Sequence, residues 1–188
     1  MTTSQATSLP TPQPGDELAW VRTHLGHVMS DDLGASASIR GGQSAADAAL
    51  AAFDVRGYAS RRNEVLPVSA RGASRLSPYI RHGLLPLRTV WEAVSGGPSA
   101  DVDKFRDELL WQEYARHVYA RTGGTATSLR YAVPERGGDL ARWDRDVEEM
   151  ACLGLVVDEL VRDGWMVNQA RMWTASHWAV RLGLGWRD

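Results

Sequence analysis

With 188 residues, the chain has room for one domain of ordinary size with a self-sufficient core, but not for two full domains. An apolar share of 44% and a charged share of 23% exclude a wholly disordered or fibrous chain, and a net charge of −2 excludes coating nucleic acid by bulk electrostatics alone. No run of about 18 apolar residues occurs and the N-terminus is polar, so neither a membrane span nor a secretory leader is expected, and the cytoplasm is the expected location.

Residues 1–15 hold three prolines and almost nothing to bury, which predicts a mobile tail ahead of a single helical domain over 16–188. From Asp16, the residues Leu18, Val21, Leu25 and Val28 recur at helical spacing, with Asp16 and Glu17 near the positive end of the helix dipole. They predict a helix over 16–29. A small-residue stretch over 34–42 leads to an alanine-rich helix over 44–53. Ser77 before Pro78 reads as an N-cap with proline at the first helical position, and Gly83 stops that helix early. Pro86 opens a helix that Gly96, Gly97 and Pro98 end, and a long helix is predicted over 101–121, with Asp101 and Asp103 in its first turn. Two more are predicted over 140–162 and 164–182. The best strand candidate, 128–133, is short and isolated, so the predicted fold class is all-α, a helical bundle.

Charge is unevenly spread. From Arg56 to Arg88 seven arginines face one acid, Glu64, whereas from Glu135 to Asp163 nine acids face four arginines. The single cysteine, Cys152, excludes an internal disulfide and a cysteine-rich zinc cluster, and its neighbours Met150, Leu153 and Leu155 predict a buried packing residue. His24, His27, His82, His117 and His177 show no metal-ligand spacing, so no metal site is expected.

Three constellations bear chemistry. Ser74, Arg75 and Ser77 place two hydroxyls and a guanidinium ahead of a helix N-terminus, where unpaired amides and the dipole suit a phosphate. The same residues also read as an ordinary cap with a solvated arginine. On the long helix, Glu108, Trp111, Gln112 and Tyr119 lie near one face and Leu110, Tyr114 and Val118 share another. A carboxylate one turn from an indole suits a flat polar ring, and equally suits a helix buried on both sides. On the last predicted helix, Asn168 and Arg171 share one side while Trp165, Met172, Ala175 and Ala179 give a packing stripe. Five of the eight tryptophans lie after residue 140. Such residues relay electrons beside a redox cofactor or simply fill a core.

The blocks ASRLSPYIRHG (73–83), FRDELLWQEYARHVY (105–119) and GWMVNQARMWTAS (164–176), with YASRRN (58–63) ahead of them, resemble the helical FAD-binding domain of DNA photolyases and cryptochromes over 41–188. The resemblance implies that Tyr58 lies near a flavin and that Ser74, Arg75, Leu76 and Ser77 form the loop holding its diphosphate. It places Phe105 where the family usually has a tryptophan at the cofactor, and Gln112 where it usually has an arginine. Glu108 and Trp111 match the acid and aromatic that meet a pyrimidine dimer, Asn168 and Arg171 match flavin-contacting positions, and Trp143 and Trp186 align with the two outer relay tryptophans.

Val167 stands for a usual histidine, VEEMACLG (147–154) replaces a glycine-rich stretch, and the sequence stops before the family's DGDxAxNxxxWQW segment. These departures lead to the expectation of a truncated, non-catalytic or weakly flavin-binding relative linked to DNA damage responses. Two alternatives stand beside it. One is a cofactor-free DNA-binding module that uses Arg61, Arg62 and Arg81 for phosphates and Trp111 for bases of single-stranded or distorted DNA. The other is a light-dependent flavoenzyme completed by a partner chain or by dimerisation.

Overall fold

Proline and glycine set several helix borders in the computed structural model, which describes residues 9–29, 34–123 and 138–185. In chain order the helices are α1 (Glu17–Leu25), α2 (Gln43–Ala52), α3 (Tyr58–Arg61), α4 (Ser77–Arg81), α5 (Leu87–Ala93), α6 (Ser99–Thr122), α7 (Leu140–Glu149), α8 (Ala151–Asp163) and α9 (Asn168–Ser176), with a π-helical turn, His177–Arg181, after the last. No strand occurs among the described residues. The fold is all-α. The strand candidate at 128–133, tail residues 1–8 and Trp186 lie outside the described residues. Pro86 and Pro98 sit extended just ahead of α5 and α6, where a fixed φ and a missing N–H cost nothing. Gly164, at φ +64°, ends α8 in the left-handed conformation glycine tolerates.

Four expectations change here. The helix predicted over 140–162 is two helices, because Met150 is extended (φ −98°, ψ 97°) and α8 turns back onto α7. A Cβ at Gly154 would lie 2.8 Å from the carbonyl oxygen of Val147, so only glycine permits this approach. The helix predicted from 164 begins at Asn168, since Gly164 turns the chain and residues 165–167 form a buried connector. Ser77 is the first residue of α4 rather than its cap; Leu76 precedes it and supplies no side-chain cap. Cys152 is exposed, because Leu153 and Val156 take the inward positions of α8 and residue 152 points about 100° away from Leu153.

Apolar burial divides into two clusters. The larger joins α2 to α6 through Ala46, Tyr58, Leu76, Ile80, Val90 and Phe105, among others. Along α6 its contributors are Val102, Phe105 and Leu109, a helical i, i+3, i+7 stripe confined to the first half of the helix. Beyond it Leu110, Trp111, Tyr114, Val118 and Tyr119 are exposed, so the second helix half is not buried on two sides. The smaller cluster is Val156, Met166 and Ala170, with Val65 and Trp173 against it. Ala170 and Trp173 therefore form the inner face of α9, and Met172 and Ala175 of the expected stripe are exposed.

Polar ties join the two clusters. Arg71 donates through Nη1 to Glu159 Oε1 at 2.5 Å and through Nε to the Val65 carbonyl at 2.8 Å. Ser36 Oγ donates to Asp163 at 2.9 Å, and Arg162 donates to the same carboxylate. Burial opposes the charge on Asp163, but hydrogen bonds from Arg162, Ser36 and Ser38 outweigh it and hold the carboxyl well below the ordinary carboxylate range.

Candidate functional site

A cavity of about 190 Å³ opens where α3, the loop before α4, the middle of α6 and the start of α9 converge. Its first wall depends on an aspartate distant in sequence. Asp101, in the first turn of α6, accepts from the Gly57 N–H at 2.8 Å and from the Ala59 N–H at 2.9 Å, so it caps the short helix α3 from outside. Tyr58 is thereby fixed, with its ring edge-on to Phe105 at 4.9 Å and 87°. Burial, with the nearby Glu108 charge adding to it against Arg62, pushes the Tyr58 phenol up to about 12. The hydroxyl stays protonated and remains a donor.

The second wall is the 72–77 loop. Gly72 donates to the Arg61 carbonyl at 3.0 Å, and a Cβ on it would lie 2.8 Å from the Arg61 Cβ, so the loop is pinned against the end of α3. Arg75 then adopts φ +57°, a left-handed conformation unfavourable for a residue with a Cβ. Its guanidinium lies 4.9 Å from the centre of the Trp165 ring and donates to Ser38 Oγ at 2.5 Å. It is held, not solvated.

Opposite the loop, Glu108 pairs with Arg62 at 3.4 Å and with Lys104 at 3.1 Å. Asn168 and Arg171 border the cavity from α9, and neither side chain has a hydrogen bond or ion pair among the described residues.

The structure thus brings Tyr58, Ser74, Arg75, Ser77, Glu108, Asn168 and Arg171 around one cavity. Arg62, assigned from sequence to nucleic acid, borders it too. Leu76 and Phe105 do not: both are core residues beneath the walls, Phe105 behind Tyr58. Gln112 lies further along α6, outside the lining. Arg61 borders a neighbouring hollow, Arg81 is exposed, and Trp111 is 63% exposed beside Tyr114. Trp143 stacks edge-on against Trp178 at 5.0 Å and lines a third, mainly apolar hollow of about 400 Å³, which shares Trp165, Met166 and Arg171 with the site.

Sequence reasoning missed two contributors. Trp165, expected in a helical packing stripe, is the surface on which Arg75 rests. Asp101, expected only in the first turn of its own helix, has a role in placing Tyr58 that carries no local signal.

Chemically, one side offers Ser74 and Ser77 hydroxyls, an amide and the charges of Arg75 and Arg171; the other offers a carboxylate and a phenol. That donor set suits an anionic diphosphate joined to a polar ring. The cavity is smaller than the roughly 300–1,000 Å³ usual for small-molecule sites. A dinucleotide-sized ligand needs more room than this, and the third hollow continues the cavity past Arg171 and Trp165. Among the described residues no cluster of histidine, cysteine or acidic side chains could hold a metal ion, and no helix is long and apolar enough to cross a membrane.

No protein-family model matches the chain. Three curated proteins named deoxyribodipyrimidine photo-lyase are similar to it. The one from Alkalihalophilus pseudofirmus is 28% identical over 129 residues, 63% of this chain and 26% of its own. The Vibrio cholerae protein is 31% identical over 130 residues, 62% of this chain and 27% of its own, and the Synechococcus protein is 27% identical over 163 residues, 78% and 33%. A crystal structure of a class III photolyase from Agrobacterium tumefaciens shares the fold, with a TM-score of 0.67, 23% identity and coverage of 78% of this chain and 32% of that one. The chain is photolyase-like and helical, and its matches span about a quarter to a third of the length of these relatives.

Proposed function

We propose that this photolyase-like chain binds FAD in the cavity between the 72–77 loop, α6 and α9, and serves DNA damage responses in the cytoplasm as a binding protein rather than a repair catalyst. The observation that carries the reading is the convergence of Ser74, Ser77, Asn168 and Arg171 on one cavity, with the Arg171 charge unmatched by any carboxylate among the described residues. Ser74, Ser77 and Arg171 hold the diphosphate, Arg75 fixes the loop over Trp165, and the Tyr58 hydroxyl and Glu108 address polar edges of a ring. Bound flavin supplies one-electron chemistry. The damaged DNA named in the relatives' activity would meet the exposed end of α6, where Trp111 and Tyr114 offer stacking surfaces.

Absorption spectroscopy after loading with FAD tests this directly. Flavin bands near about 370 and 450 nm should persist after gel filtration. Replacing Arg171 and Ser77 together by alanine should weaken binding by about tenfold or more, the loss expected for charge-assisted hydrogen bonds. A colourless protein after loading refutes the proposal.

The exposed Arg81 and the Trp111–Tyr114 pair, 5.7 Å apart, favour the second reading, a cofactor-free module for single-stranded or distorted DNA. A salt-dependent gel shift unaffected by Arg81→Ala and Trp111→Ala together would remove it.

A further inference from the structure

On the far side of the 72–77 loop from the candidate cofactor cavity lies a separate hollow of about 370 Å³, whose border includes Arg56, Arg61, Arg71 and Arg75. Two of these charges are matched: Arg56 pairs with Asp54 at 3.2 Å and Arg71 with Glu159 at 2.5 Å. Among the described residues the other two donate only to neutral oxygens, Arg61 to the Arg56 carbonyl at 3.0 Å and Arg75 to Ser38 Oγ at 2.5 Å. Among the described residues the hollow therefore carries two guanidiniums with no ion-paired carboxylate, although Asp54, also on its border, feels the Arg61 charge, and the Ser74 hydroxyl lies beside them. Its floor is different in kind. Ile39, Ala49, Ala52, Phe53 and Tyr79 give it an apolar surface with two aromatic rings.

We propose that this hollow binds a nucleoside monophosphate, its phosphate between Arg61 and Arg75 and its base on the apolar floor beside Phe53. Two unmatched guanidiniums equal the charge of a phosphomonoester dianion, and the fork of each suits its oxygens. The volume falls within the range of small-molecule sites. The left-handed backbone of Arg75 also finds a use here, since strained residues concentrate at ligand clamps, and this one directs its guanidinium across the loop to Ser38. The two hollows adjoin at Ala73, Ser74 and Arg75, but Arg61 borders only this one and Asn168 and Arg171 only the other, so substitutions at those positions report on them separately.

Calorimetric titration of the full chain with AMP tests the proposal, using adenosine, inorganic phosphate, dTMP and a short oligothymidylate as comparison ligands. Arg61→Gln should weaken AMP binding by about tenfold, the scale of one lost charge-assisted hydrogen bond. Ala52→Trp should abolish it by filling the floor without touching a charge, and thermal melts identify any variant that fails to fold. Arg171→Ala should leave AMP binding within about twofold, because that side chain belongs to the other cavity. Adenosine should bind about tenfold more weakly than AMP. An Arg171→Ala loss equal to that of Arg61→Gln would place AMP in the other cavity and overturn the assignment. Inorganic phosphate binding as tightly as AMP, or the oligothymidylate binding more tightly than dTMP, would equally overturn it, in favour of a bare anion or a nucleic-acid strand.

Discussion

The helices before residue 123 and those after residue 138 are built on different terms. Among the described residues the first group shares one cluster of twelve buried core residues, whereas the second buries eight hydrophobic residues of which Val156, Met166 and Ala170 form a cluster. Apolar burial at about 25 cal/mol per Å² therefore stabilises the first group more, and in one continuous cluster. The second is docked largely by polar contacts: Arg71 to Glu159, Ser36 to Asp163, and Arg75 on Trp165. The candidate cofactor cavity lies along this junction, with Tyr58 and Glu108 on the well-packed side and Asn168 and Arg171 on the other. One wall is thus rigid, while the position of the other depends on a few charged groups.

The largest test of that contrast removes the buried pair. Arg71 and Glu159 side chains are only 9% and 10% exposed, so Glu159→Ala leaves an unmatched buried guanidinium and should cost about 3–5 kcal/mol. Hydrogen exchange should then rise in α8 and α9 with little change in α4 and α5; equal loosening of all four would erase the distinction. Replacing both partners with Met and Leu should recover most of the loss.

A smaller effect is expected from Asp101→Ala, which strips two backbone donors of α3 of their acceptor and should cost about 1–2 kcal/mol. With α3 loosened, Tyr58 gains water and its phenol should ionise at lower pH, visible as an earlier tyrosinate absorbance in an alkaline titration. An unchanged titration would show that Phe105 packing alone places the ring.

The smallest expected effect concerns acid. The folded Asp163 carboxyl ionises below its unfolded value, so its contribution is fully present above about pH 4 and is lost as the pH falls through the folded value. Asp163→Asn should flatten that acid dependence in urea melts, and an unaltered dependence would assign it to other carboxylates.

Local chemistry made the first group legible from sequence: Pro86 announces α5, Gly96, Gly97 and Pro98 end it, Asp101 marks the first turn of α6, and the Ser74 to Ser77 block points to the cavity wall it forms. The break at Met150 carried no such marker. VEEMACLG reads as continuous helix, and the bend is selected by the approach of Gly154 to Val147, a tertiary event. The Asp101 cap spans 44 residues in sequence, and the left-handed Arg75 follows from its partners Ser38 and Trp165 rather than from its own preferences. Phe105 shows the same limit, since a motif position near a ligand and a core position behind the wall share one helical spacing.

The lone sulfhydryl of the chain stands at Cys152, on the outward face of α8 and next to the corner with α7. A maleimide dye attached there labels a single position without mutagenesis, and Trp91 and Trp111 provide natural energy donors in the other helical group. Movement of that group as a ligand enters would then be readable as a change in transfer efficiency.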